Sequence, residues 1–367
     1  MRKFKVLTLA LMLASMLLVM LAACGGGSKV DYDNLKIVIV TSGSSVDDGS
    51  FNQDNYEGIQ DFIAAGSGAK VTAVTSDAIS DSWRDVEAVF ADYDIIVVPG
   101  FQFADISKLA IDNPEKYFIL VDTNPTPIEG QEVFDNIYAM TFKEQESGFL
   151  AGIAAAMESD TNKVAFIGGM AYPSVINYQF GFYAGVRWAD ANLGTSTEII
   201  ELTPFFDDLG IVENVRGNYV GAFGDPVRGK QVAEALINEG VDRLFVAAGG
   251  SGLGAFNAAM ESDGVMVIGC DVDQFGQGVY AGGNVVLTSA LKNMRINVFR
   301  QLTAIKDGSF KGGNYLLGAD TDSTGFVSAQ GRHSLSPATV TAMNDAFARL
   351  QSGEIQPPGA FFAGNLG

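Results

Sequence analysis

Short, near-continuous apolar runs recur along this chain at residues 36–41, 94–99, 117–122, 163–168, 197–202, 243–248, 265–270 and 285–289, each bounded by Gly, Pro, Asp or Asn. Runs of this length that do not alternate polar with apolar residues are the pattern of strands buried on both faces, as in a parallel sheet covered by helices. Helical periodicity fills the intervals. Ser50 and Gln53 have the spacing of a capping box, after which Tyr56, Ile59, Phe62 and Ile63 fall on one helical face. Comparable patterns occupy residues 102–111, 144–157, 175–189, 227–238, 253–261, 294–305 and 337–350. This alternation predicts an α/β chain of right-handed crossovers with helices on both faces of parallel sheets. No internal repeat is evident.

The N-terminus has a different character. Arg2, Lys3 and Lys5 precede an apolar stretch from Val6 to Met20, interrupted only by Thr8 and Ser15; Leu21-Ala22-Ala23-Cys24 and a Gly25-Gly26-Gly27-Ser28 spacer follow. The basic start, apolar middle and small-residue cleavage site are those of a signal peptide, and the cysteine just after the cut makes the site a lipobox. The apolar stretch is shorter than the ~20 residues of a spanning helix and lacks a basic flank beyond it. Residues 1–23 are therefore expected to be removed, Cys24 to carry the lipid, and residues 24–34 to form a flexible tether. The expected location is the outer face of a bacterial membrane.

Charge and cysteine usage narrow the partners. Removing residues 1–23 deletes Arg2, Lys3 and Lys5 and no acidic residue, which takes the formal charge from -20 to -23. So acidic a body repels phosphate backbones, which argues against a nucleic-acid polymer as partner but leaves a small ligand in a local site untouched. Only Cys24 and Cys270 occur, so with Cys24 lipidated no disulfide forms within the mature chain, and Cys270, after Ile268 and Gly269, reads as a buried strand residue. The mature chain of about 340 residues exceeds the size at which single cores stop growing, so two domains are expected.

In sheets of this kind ligands collect at the carboxyl ends of strands. The loops to watch are 42–51, 100–103, 122–124, 249–254 and 271–275, with Lys292 close behind the last strand. The inventory is poor in catalytic groups. His333, the single histidine, stands in the polar stretch Gly331-Arg332-His333-Ser334 and reads as a surface residue, and a zinc site built on several His or Cys is excluded by count. The pairs Asp47-Asp48 and Asp207-Asp208 suit caps and solvated turns; Asp271, with Asp273 close by, ends a strand and is the stronger candidate for function. Gly250-Ser251-Gly252-Leu253-Gly254-Ala255 satisfies G-x-G-x-x-A at a strand-to-helix turn, and Asp271 follows about twenty residues later, which is dinucleotide-fingerprint spacing. Its position deep in the chain, and export from the supply of reduced cofactor, weigh against that use. The glycines would still let a ligand approach closely, and Asp271 can accept from a diol.

Asp48-Gly49-Ser50-Phe51-Asn52-Gln53 followed by Tyr56-Glu57-Gly58 resembles the D-x-S-F-N-Q-x-x-W/Y-E-G signature of the basic membrane protein family, the purine nucleoside receptor lipoproteins that serve as substrate-binding components of ABC importers. Further segments are similar in order and spacing: Gly100-Phe101, Phe118 to Asp122, Glu146 through Ala151-Gly152, Gly168-Gly169 with Pro173 and Gly181, Gly221 with Asp225-Pro226 and Gly229-Lys230, and Ser289 to Lys292. The resemblance spans nearly the whole mature chain. It implies a type I periplasmic-binding-protein fold, two parallel-sheet lobes joined by three crossover segments around a central cleft. The expected lobes are residues 35–139 with about 285–310, and residues 140–284 with about 311–367. It further implies that Phe51 and Phe223 stack on the faces of a nucleobase, that Asp271 and Lys292 hold ribose hydroxyls, that Gly249 lets the sugar approach, and that Gln102 meets the base edge. Asp48 and Asn52 belong to the same expected site. The family's first strand usually ends in Thr-Asp, whose aspartate reads the purine edge, whereas here the pair is Thr41-Ser42. Losing a charge-assisted contact costs ~1.5–3 kcal/mol, so another group reads the base or the ligand differs.

The expected function is capture of a nucleoside, purine by resemblance, by a monomer that delivers it to a membrane permease driven by an ATPase, with no bond made and no cofactor or metal. A receptor for a sugar or small signalling molecule is a second reading on the same fold. A nicotinamide-dependent oxidoreductase using Gly250–Ala255 is a third.

Overall fold

The structure, a computed structural model, describes residues 32–202 and 215–359. The lipobox, most of the expected tether and Asp207-Asp208 lie outside the described residues.

Two sheets organise the chain. The first holds β1 (Lys36–Ser42), β2 (Lys70–Ser76), β3 (Ile95–Pro99), β4 (Tyr117–Val121) and β5 (Ile137–Phe142). The second holds β6 (Lys163–Gly168), β7 (Glu198–Ile199), β8 (Asn218–Tyr219), β9 (Arg243–Ala247) and β10 (Met266–Asp271). A small hairpin of β11 (Val279–Tyr280) and β12 (Gly283–Asn284) precedes β13 (Val286–Lys292), which also joins the second sheet; β14 (Gly313–Leu317) returns to the first and β15 (Thr324–Phe326) to the second. The strand orders are β14-β5-β4-β3-β1-β2 and β15-β13-β10-β9-β6-β7, with β8 beside the far end of β6. All pairs are parallel in the first sheet, and in the second only β13–β15 is antiparallel. The two lobes thus repeat one winding without repeating sequence.

Burial explains why the runs were recognisable. Every residue of β3 and β9 is buried, as are Ile37 to Thr41 of β1. Each fully buried aliphatic side chain contributes ~1.5–3 kcal/mol. The helices are α1 (Phe51–Phe62), α2 (Ser82–Val89), α3 (Ser107–Asp112), α4 (Glu144–Glu158), α5 (Pro173–Asn192), α6 (Pro226–Asn238), α7 (Gly252–Met260), α8 (Met294–Lys306) and α9 (Pro337–Gln351). Helices α4 and α5 pack backbone to backbone. A Cβ on Gly148 or Gly152 would lie 2.3 or 2.2 Å from the Tyr178 or Phe182 carbonyl oxygen, and one on Gly181 or Gly185 would lie 2.2 or 2.0 Å from that of Gln145 or Phe149. Glycines one turn apart on both helices remove the side chains that would hold them off, and this brings the start of α5 to the cleft.

The chain passes between lobes after β5, after β13 and after β14. Lys143 N–H donates to Leu317 O at 2.8 Å and Asn293 N–H to Ser323 O at 2.9 Å, while Glu146 Oε2 accepts from Ala319 N–H and Thr324 Oγ1, both at 2.7 Å. The three crossing segments are therefore tied to one another.

Several expectations are corrected. Residues 286–292 belong to the second lobe's sheet and 313–317 to the first's, the reverse of the expected assignment, because the crossover falls after β13, at Lys292–Asn293. Apolar periodicity marks a strand but not the sheet that receives it. The expected strand at 197–202 is reduced to β7. The Ser50 side chain makes no capping bond to α1. Asp48 caps instead, with Oδ1 accepting from Ser50 N–H at 2.9 Å and Gln53 N–H at 3.1 Å and Oδ2 from Asn52 N–H at 3.1 Å, while Gln53 Oε1 takes Gly49 N–H at 3.0 Å. A carboxylate offers two oxygens to these orphan amides where a serine offers one. His333 is half-buried, its Nδ1 accepting from Leu335 N–H at 3.1 Å.

Candidate functional site

A cavity of about 110 Å³ lies between the lobes at the carboxyl ends of the strands. The structure brings Ser42, Asp48, Phe51, Asn52, Gln102, Phe223, Gly249, Asp271 and Lys292 together in its wall, along with Phe101, Asp122, Tyr172, Ser174, Tyr178 and Cys270. All five strand-end loops contribute.

The wall is electrostatically uneven. Lys292 is 2 % exposed, with Nζ 2.7 Å from Asp122 Oδ2, 3.5 Å from Glu144 Oε1 and 4.0 Å from Asp271 Oδ1. Burial alone would pull the ammonium's pKa down, but the three carboxylates outweigh it and hold Lys292 charged. Burial likewise raises Asp122, against the pull of Lys292, and pushes Glu144 up to about 8. The ammonium also lies 4.9 Å from the ring centre of Phe51, 5.6 Å from that of Phe142 and 5.9 Å from that of Tyr178.

Asp122 and Asp271 occupy corresponding places, at the ends of β4 and β10, and both have left-handed backbone, with φ of 66° and 67°. Uncommon for a residue other than glycine, this conformation is a local cost retained at both strand ends. Asp271 Oδ1 accepts from Tyr178 Oη at 2.9 Å and Oδ2 from Ser50 Oγ at 3.3 Å. Burial first, and Asp271 second, push both the Tyr178 phenol and the Cys270 thiol well up, so each keeps its proton. Cys270 is the buried strand residue expected. Asp48 is also raised by burial, against its three backbone donors; with its oxygens spent on α1, it shapes the wall more than it offers a free acceptor.

A second group is uncharged. Gln102 Nε2 donates to Ser42 Oγ, and Asn52 Nδ2 donates to Ser44 O at 3.0 Å. Aromatic rings continue the wall: Phe101 and Tyr172 meet across the lobes with centroids 4.1 Å apart, and Tyr172 lies 5.7 Å from Phe223. The Phe223 ring fills the space where a Cβ of Gly169 would stand, at 2.4 Å. Together these groups can hold a ligand with a flat apolar face and a cluster of hydroxyls.

The glycine turn at 249–254 has another use than phosphate binding. Ser251 N–H donates to Phe223 O at 2.8 Å, and a Cβ on Gly254 would lie 1.9 Å from Pro226 O, so the turn seats α7 against α6. Gly249, at φ +53°, lines the cavity. Sequence reasoning missed Tyr178, Phe101, Tyr172 and Ser174 and gave Asp122 no role. The signal for Asp122 was present, an aspartate directly after a buried strand as at Asp271. No comparable signal marks Tyr178, whose place depends on the α4–α5 packing.

Residues 35–209 and 207–354 match the Bmp family, ABC transporter substrate-binding proteins described as PnrA-like. The chain belongs to this family. Among relatives of this Bmp protein, the ABC transporter nucleoside-binding protein BmpA of Lactococcus lactis subsp. cremoris is 32% identical over 308 residues, 79% of this chain and 80% of the relative. The CD4+ T-cell-stimulating antigen of Listeria innocua is 30% identical over 365 residues, covering 93% and 94%. Basic membrane protein A of Borreliella burgdorferi is 29% identical over 313 residues, 83% of each chain. A solved ABC transporter solute-binding protein from Aeropyrum pernix K1 superposes with a TM-score of 0.71 at 23% identity over 88% of this chain and 92% of its own, a likeness of fold. The Bmp protein is therefore an ABC transporter substrate-binding protein with the two-lobed periplasmic-binding fold.

Proposed function

We propose that this protein captures a nucleoside, of the purine class, in the interlobe cavity and delivers it unchanged to a membrane permease driven by an ATPase. In this reading it acts as a monomer held at the outer membrane face by lipid on Cys24. The observation that carries it is the pairing, in one cavity, of aromatic rings from opposite lobes, Phe51 and Phe223, with the Asp122, Asp271 and Lys292 cluster. A base offers two flat faces for stacking, worth ~1–3 kcal/mol per stacked base. A ribose diol offers two hydroxyls, which suit carboxylate acceptors and an ammonium donor. Asp122 is a second acceptor beside Asp271, and Gly249 leaves room for the sugar.

Ser42 and Gln102 present a neutral hydroxyl and carboxamide to the base edge, able to donate and to accept. The name of the Lactococcus relative, a nucleoside-binding protein, points the same way.

The test is mass spectrometry of the small molecule that copurifies with the chain lacking residues 1–24, followed by thermal shift with purified nucleosides. Bound ligand raises the melting temperature by linkage. Recovery of a nucleoside and a shift that Asp271→Ala abolishes support the reading; no shift with any nucleoside at saturation, or competition by free pentose alone, overturns the ligand class.

A further inference from the structure

The loop after β10 reaches across the cleft and grips the first lobe by its backbone. Gln277 Nε2 donates to Gly49 O at 2.7 Å and Gln274 Nε2 to the same oxygen at 3.3 Å, while Ser50 Oγ donates to Asp271 Oδ2 at 3.3 Å. All three bonds run from lobe to lobe.

Both partners of this contact are held by further hydrogen bonds. Gln274 is 5 % exposed; its Oε1 accepts from Cys270 N–H at 2.8 Å, its own N–H donates to Ser289 Oγ at 3.1 Å, and its Nε2 also reaches Gln277 Oε1 at 2.8 Å. On the other side Gly49 directly precedes the Asp48-capped end of α1, and Gln53 Oε1 holds its N–H at 3.0 Å. Gly49 has a φ of +68°, and a Cβ there would lie 2.3 Å from Gln277 Nε2, so the glycine both permits the turn and admits the glutamine.

We propose that Gln277, with Gln274 and Ser50, forms a clasp that favours the closed arrangement of the lobes and so sets how slowly a bound molecule leaves. The consequence for release rests on the reading of the cavity as a ligand site; the clasp itself does not. A contact made only in the closed form shifts the open–closed equilibrium by its own free energy, and one such hydrogen bond changes that ratio by roughly three- to tenfold. Release requires opening and is accelerated when the clasp is lost. Association begins in the open form, so its rate rises only as far as the open fraction of the ligand-free chain does.

The experiment compares the mature chain with Gln277→Ala and Gln277→Glu, the second keeping the shape while replacing the donor by an acceptor. Small-angle scattering of ligand-free protein is expected to give a larger radius of gyration for both variants than for the unaltered chain; identical radii overturn the proposal. Stopped-flow release of a fluorescent adenosine analogue is expected to quicken by roughly three- to tenfold, with the association rate rising no further than the open fraction does; equal release rates also overturn it. If the unaltered chain binds no nucleoside probe, the ligand reading fails and scattering alone decides the clasp. If the Gln277 variants lose their far-ultraviolet dichroism, Ser50→Ala removes a different bond of the clasp and must reproduce the larger radius.

Discussion

Lys292 Nζ lies 2.7 Å from Asp122 Oδ2, linking the end of β13 in the second lobe to the end of β4 in the first. Both side chains are almost fully buried, and Glu144 and Asp271 share the same ammonium. One cation thus compensates carboxylates drawn from both lobes, beside a crossover between them.

Replacing that cation leaves several buried charges without a partner. Lys292→Met is expected to lower the unfolding free energy by ~3–5 kcal/mol in urea titrations. Adding Asp122→Asn to that variant should recover part of the loss, since one uncompensated charge is removed. A loss below about 1 kcal/mol in the single variant would mean that the cluster is solvated, contrary to its burial.

The pH dependence has a definite sign. Burial pushes Glu144 from an ordinary value of 4.5 up to about 8, opposed by Lys292 and assisted by Asp122. Between those values the folded chain retains a proton that the unfolded chain has released, so the stability contributed by Glu144 falls as pH rises through this window and levels off above it. Asp54, raised to about 7 chiefly by burial, adds a slope of the same sign. Glu144→Gln should therefore flatten part of the fall, leaving the Asp54 portion; an unchanged slope would show that Glu144 is ionised throughout.

Asp48 acts as the cap of α1. Asp48→Ala is expected to cost ~1–2 kcal/mol and Asp48→Asn less, because an amide oxygen still accepts from backbone N–H. Thermal denaturation of the ligand-free chain measures both, and equal losses would deny the capping role.

Gly254 serves the packing of α7 on α6. A Cβ there would meet backbone, 1.9 Å from Pro226 O and 2.4 Å from Lys230 N, which a rotamer change cannot relieve. Gly254→Ala should cost ~1–3 kcal/mol or more. Gly276→Ala, with nothing within 4 Å of the added carbon, is the control and should stay within about 0.5 kcal/mol of the parent.

The legible parts of the fold were those whose burial leaves a compositional trace. β6 and the strands at 95–99 and 243–247 stood out because both faces are covered and nearly every residue is apolar. β2 was missed because it is an edge strand with a mostly exposed, mixed sequence, and β14 is likewise a half-exposed edge. β5 was missed despite its burial, since Tyr138 and Thr141 break the aliphatic run. Asp48 shows the same limit within a motif: the spacing located the start of α1, but which side chain would cap it depended on the turn at Gly49.

The sequence by itself determined the α/β alternation, the strand-end loops and, within those loops, Ser42, Asp48, Phe51, Gln102, Gly249 and Asp271 as cavity residues, because these depend on local periodicity and on short signatures. Tertiary structure decided which sheet receives each strand after a crossover, the approach of Tyr178 to Asp271, the sharing of Lys292 among carboxylates, and the grip of Gln277 on Gly49. Those relationships join residues distant in sequence. Their geometry is set by how closely helices and lobes pack, and no local pattern encodes that distance.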